Sequence, residues 1–310
     1  MARRRMTASE VIAMFDQISN WGRWGADDEL GALNFITPAY RAAAARLVES
    51  GESISLSRPI ATAPAADNPR PSTHLMIRSG RHGHPMGIQG SADFFSIAPH
   101  GFSETHLDAL CHYFWQDRMY NGFPSAEVNF QGAAKCGVEI ARAGIVGRGV
   151  LLDIPRLRGA QWLEPGDTIY PAELDSAALA HRVEIGEGDI LLIRTGRARR
   201  RKVLGPWSAM GDGLPGLDVS CMPWLHERRI ALLGSDAVSD VMPSGYDQGL
   251  GMPVHTSTLV MMGVYLLDNA DFDALAEHCA LVDRYSFMFT IAPLVLEHGT
   301  ASPCNPLALF

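Results

Sequence analysis

The run Ser103-Glu104-Thr105-His106-Leu107-Asp108-Ala109-Leu110-Cys111-His112 places two histidines and an aspartate within seven residues. Side chains of an extended backbone alternate faces. His106 and Asp108 therefore project to the same side, their Cα atoms roughly 6.5–7 Å apart. Imidazole and carboxylate together suit a divalent ion such as Zn or Mn. His112, four residues beyond Asp108, is either a third ligand or a base that reaches a bound water. On spacing alone the plain alternative stands beside this one: a packed core histidine and an aspartate that caps a turn.

Outward from that run, the chain reads as alternating α and β. Thr7-Ala8-Ser9-Glu10 has the capping-box pattern and predicts a helix to about Ile18. Thr37-Pro38 before an alanine-rich stretch, with Gly51 as a stop, predicts a helix from 38 to 50. Ala61 to Pro71 and Gly80 to Gly90 read as loops, the second holding His82 and His84. Beyond Gly149, Val150 to Ile154, Ile190 to Thr195 and Ile230 to Gly234 read as buried strands, and Tyr285 to Ala292 as a late one. Pro171 to His181, Asp218 to Arg229 and Asp271 to Val282 read as helices. Leu259 to Leu267 is a buried helix or strand. The pattern predicts an α/β fold around a largely buried sheet.

Composition bounds the function. The 310 residues are 47% hydrophobic and 19% charged with a net charge of −8. That composition is globular and able to bury a sizeable core, and its acidity argues against general nucleic-acid binding. Polar residues interrupt any apolar stretch behind Arg3-Arg4-Arg5, so no signal peptide is expected, and no run is long enough for a membrane span. The run from Arg197 to Lys202 reads as a solvated loop. The five cysteines, Cys111, Cys136, Cys221, Cys279 and Cys304, are odd in number and form no C-x-x-C pair. Free, packed thiols in a cytoplasmic protein are expected.

Thr105-His106-Leu107-Asp108-Ala109-Leu110-Cys111-His112 resembles the signature run of the cyclase-like metal-dependent hydrolases. That family includes bacterial kynurenine formamidases, isatin hydrolases and trans-dienelactone hydrolases. The resemblance extends over nearly the whole chain. Trp24 to Asn34 is similar to the opening of the long-form subgroup, and Met119 to Pro124, Gly147 to Asp153, Gly188 to Gly196 and Ser302 to Pro306 fit in order. It implies a swivelling β/β/α fold, a mixed barrel-like sheet flanked by helices. Residues 1–310 are then a single domain with an N-terminal helical extension over about 1–50.

The same resemblance implies a site. His106, Asp108 and the downstream Asp268 would bind metal, with His112 as general base and His255 as a second acid–base group. A histidine titrates near neutrality, which suits that work. Relatives that bind two metals carry a histidine four residues before the first motif histidine. Here that position is Phe102, and His100 lies two residues earlier, so a single Zn or Mn ion is expected. Glu104 and Asp236 are further polar residues near the expected site; surface or turn roles serve them equally.

The implied activity is hydrolysis of a small cyclic or aryl amide, lactone or ester by a metal-activated water. The alternatives are a metal-dependent cyclase or dehydratase, and a non-catalytic small-molecule binding protein. The implied partners are a small-molecule substrate and a second copy of the chain, in a homodimer or homotetramer. Trp21 to Trp24 is the candidate for reaching across to a neighbouring subunit. No nucleic-acid or membrane partner is expected.

Overall fold

The computed structural model describes residues 5–80, 86–87, 89–247 and 249–310. Strand β1 covers Ser53–Ser55, β2 Thr73–Arg78, β3 Ala92–Ser96 and β4 His106–Asp108. Strands β5 (Val128–Asn129) and β6 (Gly132–Ala133) precede the long β7, Ile145–Asp153. Then follow β8 (Thr168–Ile169), β9 (Ile190–Arg194), β10 (Gly216–Leu217), β11 (Leu232–Ser235) and β12 (Tyr265–Asp268). Strands β13 (Ser286–Ile291), β14 (Ala301–Pro303) and β15 (Leu307–Leu309) complete the set.

Among the described residues nine of these strands form one curled mixed sheet, in the order β1-β15-β13-β7-β9-β11-β12-β4-β14. The stretch β7-β9-β11-β12 is parallel. Its strands, Val150–Leu152, Ile190–Ile193, Leu232–Leu233 and Leu266–Leu267, are buried on both faces, which is why they read as unbroken apolar runs. Helices cover this sheet, and β4 joins β12 antiparallel at one end.

The first helix, Ala8–Gln17, has the expected capping box and lays Val11, Met14 and Phe15 into the core. Three expectations change. The second helix covers Pro38–Ala45 and stops before Gly51. Leu259 to Leu267 divides into the end of a π-helix, Thr256–Met262, and strand β12. The segment after Gly196 is not a solvated loop: Arg197–Leu204 is helical and Arg197 is wholly buried. Arginine content alone concealed that, because Asp67 and Asn269, far away in sequence, receive the guanidinium. The helical repeat would have been the only local signal.

Trp21 and Trp24 fold back on their own chain. The Trp21 indole donates to the Val260 carbonyl at 2.6 Å, and Trp24 packs edge-on against Phe35 at 5.0 Å. No helix among the described residues is long and apolar enough to cross a membrane.

Candidate metal centre

Pairing across the sheet assembles the centre. In β4, His106 and Asp108 share a face, while Leu107 between them enters the core with no exposure. Strand β12 runs antiparallel to β4 with Asp268 directly opposite His106. Opposed residues in such a ladder bring their Cβ atoms within about 5 Å. The result is a buried His106–Asp108–Asp268 group whose ligand atoms all lie within 4.8 Å of one another. The sequence reading therefore placed two of these by strand alternation and the third by resemblance.

His112 returns through a turn closed by its own N–H on the Ala109 carbonyl, and its Nε2 lies 3.9 Å from Asp108 Oδ1. His255 ends the short helix Pro253–His255. Its Nε2 lies 3.4 Å from Asp268 Oδ2 and 3.8 Å from Asp108 Oδ2.

His100 also belongs to the cluster. Its Nδ1 is 3.0 Å from Asp108 Oδ1, and its ring stacks on His112 at 3.7 Å between centroids. With Asp108 and His112 it forms a second candidate ligand group. The family pattern, which puts its upstream histidine at the position of Phe102, hid this. The chain bends from His100 to Glu104, with Gly101 at a φ of +142°, and extends only from His106. The glycine was the available signal, since this backbone geometry is costly for any residue with a Cβ.

Asp240 is the other residue the sequence did not reveal. It accepts from His255 Nδ1 at 2.6 Å and from the backbone N–H groups of Val254 and His255. Asp236, one of the further polar residues expected near the site, ties strand ends together by accepting from Thr195 N, Thr195 Oγ1 and Gly196 N. The Glu104 side chain holds a loop, accepting from Ala61 N and Ser72 Oγ, while its carbonyl receives His106 Nδ1 at 2.8 Å. That bond leaves His106 Nε2 directed at Asp108 Oδ1, 3.3 Å away, as the ring atom placed to meet an ion. His82 and His84 lie outside the described residues. Cys111 is fully buried, and burial pushes its thiol up to about 12. It packs as expected, with no thiolate to attack a substrate.

The electrostatics divide the histidines. Burial would raise the Asp108 carboxyl, but the surrounding imidazoles, His106 foremost, hold it well below the usual range. Burial likewise opposes charge on His106, yet Asp108 outweighs it and raises the imidazole to about 9. His112 goes the other way, lowered to about 3, chiefly by burial. On His255 the hydrogen bonds to Asp240 and Asp268 overcome burial and raise it well above the ordinary value.

Both Asp108 carboxylate oxygens are buried and neither accepts a well-formed hydrogen bond. Leaving a buried carboxylate in that state is costly unless a cation meets it. Nitrogen and oxygen donors converge there, so the residues present fit a divalent ion.

Comparison with known proteins gives the family and the fold. A solved structure described as a novel cyclase is 33% identical, with a TM-score of 0.83 over 94% of this chain and 100% of its own. Isatin hydrolase A from Ralstonia solanacearum shares the fold at 23% identity and a TM-score of 0.60, covering 87% of this chain and 95% of that one. An isatin hydrolase bound to the product analogue thioisatinate is 18% identical, with a TM-score of 0.59 over 84% of this chain and 92% of its own. A search of curated protein sequences gives no match. The profile of the putative cyclase family matches residues 52–240. That span runs from the first strand of the sheet through the motif strand to the aspartate behind His255, and the chain belongs to the putative cyclase family.

Proposed function

We propose that this protein is a metal-dependent hydrolase that opens a small cyclic or aryl amide, lactone or ester. The observation that carries the reading is the Asp108 carboxylate. It is buried, neither of its oxygens accepts a well-aligned hydrogen bond, and four imidazole nitrogens converge on it at 3.0, 3.3, 3.8 and 3.9 Å. His106, Asp108 and Asp268 would hold a Zn or Mn ion. A divalent ion there would supply Lewis acidity toward a carbonyl and make a water easier to deprotonate.

The chain's own groups then divide the proton work. His112 sits at the open side of the cluster as a neutral imidazole, and its Nε2 takes the proton of the attacking water. His255 is held protonated by its carboxylate neighbours, with Nδ1 fixed on Asp240, and gives a proton from Nε2 to the leaving nitrogen or oxygen. Two like groups pushed in opposite directions by their surroundings are the usual signature of an acid–base pair. Isatin hydrolases among the structural neighbours support a strained cyclic amide as the first substrate class to try.

The test is elemental analysis of the purified protein, then turnover of N-formyl anilines, isatin-like lactams and unsaturated lactones in ¹⁸O-labelled water. Hydrolysis incorporates solvent oxygen into the product. A product without label points to the cyclase or dehydratase reaction instead. Binding of these compounds without turnover, by protein free of metal, would leave only a binding role.

A further inference from the structure

Three arginines gather away from the metal centre. Arg58 follows strand β1, with its backbone N–H on Thr105 Oγ1 at 3.0 Å and its Nη2 on the Asp236 carbonyl at 2.5 Å. Arg197 and Arg201 come from the helix Arg197–Leu204. Asp67 is the one carboxylate among the described residues that accepts from any of the three. It takes Arg201 Nε at 2.5 Å and Nη2 at 3.0 Å, with Arg197 Nη2 at 3.5 Å. The nearby Asp236 carboxylate is spent on Thr195 and Gly196. Arg58 Nε, Arg58 Nη1 and Arg197 Nε are buried and have no hydrogen-bond partner among the described residues.

Donors of this kind are costly to bury unmet, and like charges side by side add to the cost. Burial, and then the charge of Arg58, push Arg197 well below the ordinary arginine value; burial lowers Arg58 as well. The cluster is therefore short of negative charge. A cleft of about 370 Å³ opens beside it, within the ~300–1,000 Å³ range of small-ligand sites. Arg58, Arg201 and Ser103 line it, and Ile60 and Ala198 lie in its apolar wall. Lys202 and Asp271 also border it, but they pair with one another at 2.8 Å. None of the lining residues belongs to the metal centre.

We propose that this cleft binds a small organic carboxylate, its charge toward Arg201 and Arg58 and its apolar body against Ile60 and Ala198. Arg201 spends Nε and Nη2 on Asp67, which leaves Nη1 to donate to a ligand. Bonds from a guanidinium to a carboxylate are among the strong ones. The walls decide the class of anion. Inorganic phosphate carries a second charge, which Asp67 and Asp271 oppose, and has no body to set against the aliphatic side chains. Chloride lacks that body too. A neutral ligand leaves the charge of the arginines unanswered. The reaction proposed above releases a carboxylic acid, which is one source of such a ligand, but the binding does not depend on that reaction.

The experiment is isothermal titration of the holoprotein with benzoate, benzamide, inorganic phosphate and chloride at constant ionic strength, with hydrogen exchange to locate the ligand. Benzoate is expected to bind with a dissociation constant of about 1 mM or below and to protect residues 58–61 and 197–202. Benzamide has the same shape without the charge. It should bind at least ~10-fold more weakly, as should phosphate and chloride. Arg201→Gln and Ile60→Trp should each weaken benzoate at least ~10-fold. Ile60 is 52% exposed, so the tryptophan fills the cleft without entering the core. An unchanged melting temperature without ligand will show that this variant keeps the fold. Protection of residues 106–112 instead would put benzoate at the metal centre and overturn the proposal. So would the absence of saturable binding, or unchanged benzoate affinity in either variant. Benzamide, phosphate or chloride binding as tightly as benzoate would overturn it too.

Discussion

His255 Nδ1 donates to Asp240 at 2.6 Å, while the same carboxylate accepts the backbone N–H groups of Val254 and His255. One side chain thus fixes the helix start, the tautomer and the ring direction together. Nε2 is left directed at Asp268 and Asp108. Asp240→Asn keeps the shape but weakens the hold on the proton. It is expected to lower kcat about 10–100-fold, as loss of a partner behind a site histidine does elsewhere. Bound metal should stay near the wild-type level. Wild-type turnover in this variant would remove Asp240 from the mechanism.

The two ligand groups share Asp108, so metal stoichiometry separates their roles. His106→Ala and Asp108→Ala should each abolish bound metal. One ion per chain, retained in His112→Ala with kcat down ~10²–10⁴-fold, is the result that fits His112 as base. Two ions per chain, one of them lost in both His100→Ala and His112→Ala, would make His112 a ligand. The base must then be sought at His255.

Chelation should also lower the melting temperature of the holoprotein, because an ion that binds only the folded chain stabilises it by mass action. Scanning calorimetry with and without chelator reads this directly. The shift should vanish in Asp108→Ala. An identical chelator-induced shift in that variant would place the stabilising ion elsewhere.

His181 gives a pH prediction away from the centre. It is 7% exposed, it stacks on Tyr285 at 3.9 Å, and its Nδ1 has no hydrogen-bond partner. Burial lowers its pKa; Asp153 opposes that and Arg156 reinforces it. Folding therefore favours the neutral ring. This contribution is fully present above the unfolded value of ~6.5 and is lost as pH falls from there through the lower folded value. His181→Phe keeps the stack and removes the proton site. Its melting temperature should fall less than the wild type's between pH 7.5 and pH 5. Parallel pH curves for the two proteins would refute the assignment.

The sequence disclosed what rests on local pattern. Unbroken apolar runs marked β7, β9 and β11, and strand alternation put His106 and Asp108 together. Position 268 came from family resemblance, and its pairing opposite His106 follows from sheet register that a single sequence does not display. His100 was set aside because the family pattern puts its histidine at position 102, and spacing does not show the bend at Gly101 that folds His100 back onto Asp108. Asp240 was missed because its value lies in a contact with a helix fourteen residues away. The ribbon of β2 and β3 escaped notice for a different reason. Large apolar side chains stand on both of its faces, Leu75 and Phe94 on one and Met76 and Phe95 beside the His74–Asp93 pair on the other, so it lacks the alternation that identifies a half-buried strand.

Arg197 shows how a misread charge run supports the site, and it yields the most demanding prediction. Its guanidinium is wholly buried. Nη1 donates to Asn269 Oδ1 at 2.7 Å and Nη2 to the Phe102 carbonyl at 2.5 Å, with Asp67 Oδ2 at 3.5 Å. Asn269 in turn donates to the carbonyls of Gly101 and Glu104, and the Glu104 carbonyl holds His106. The arginine therefore fixes the bent segment that delivers both His100 and His106. Arg197→Met leaves Asp67 with only the Arg201 pair and frees the Phe102 carbonyl; breaking a buried pair of this kind costs about 3–5 kcal/mol. Arg197→Lys is the sharper test. It keeps the charge but cannot span the separated acceptors with a planar fork. It is expected to fold, with a lowered melting temperature and metal affinity reduced at least ~10-fold, as measured by competition with a chromogenic chelator. A lysine variant with wild-type metal affinity would show that the segment holds its shape without the guanidinium.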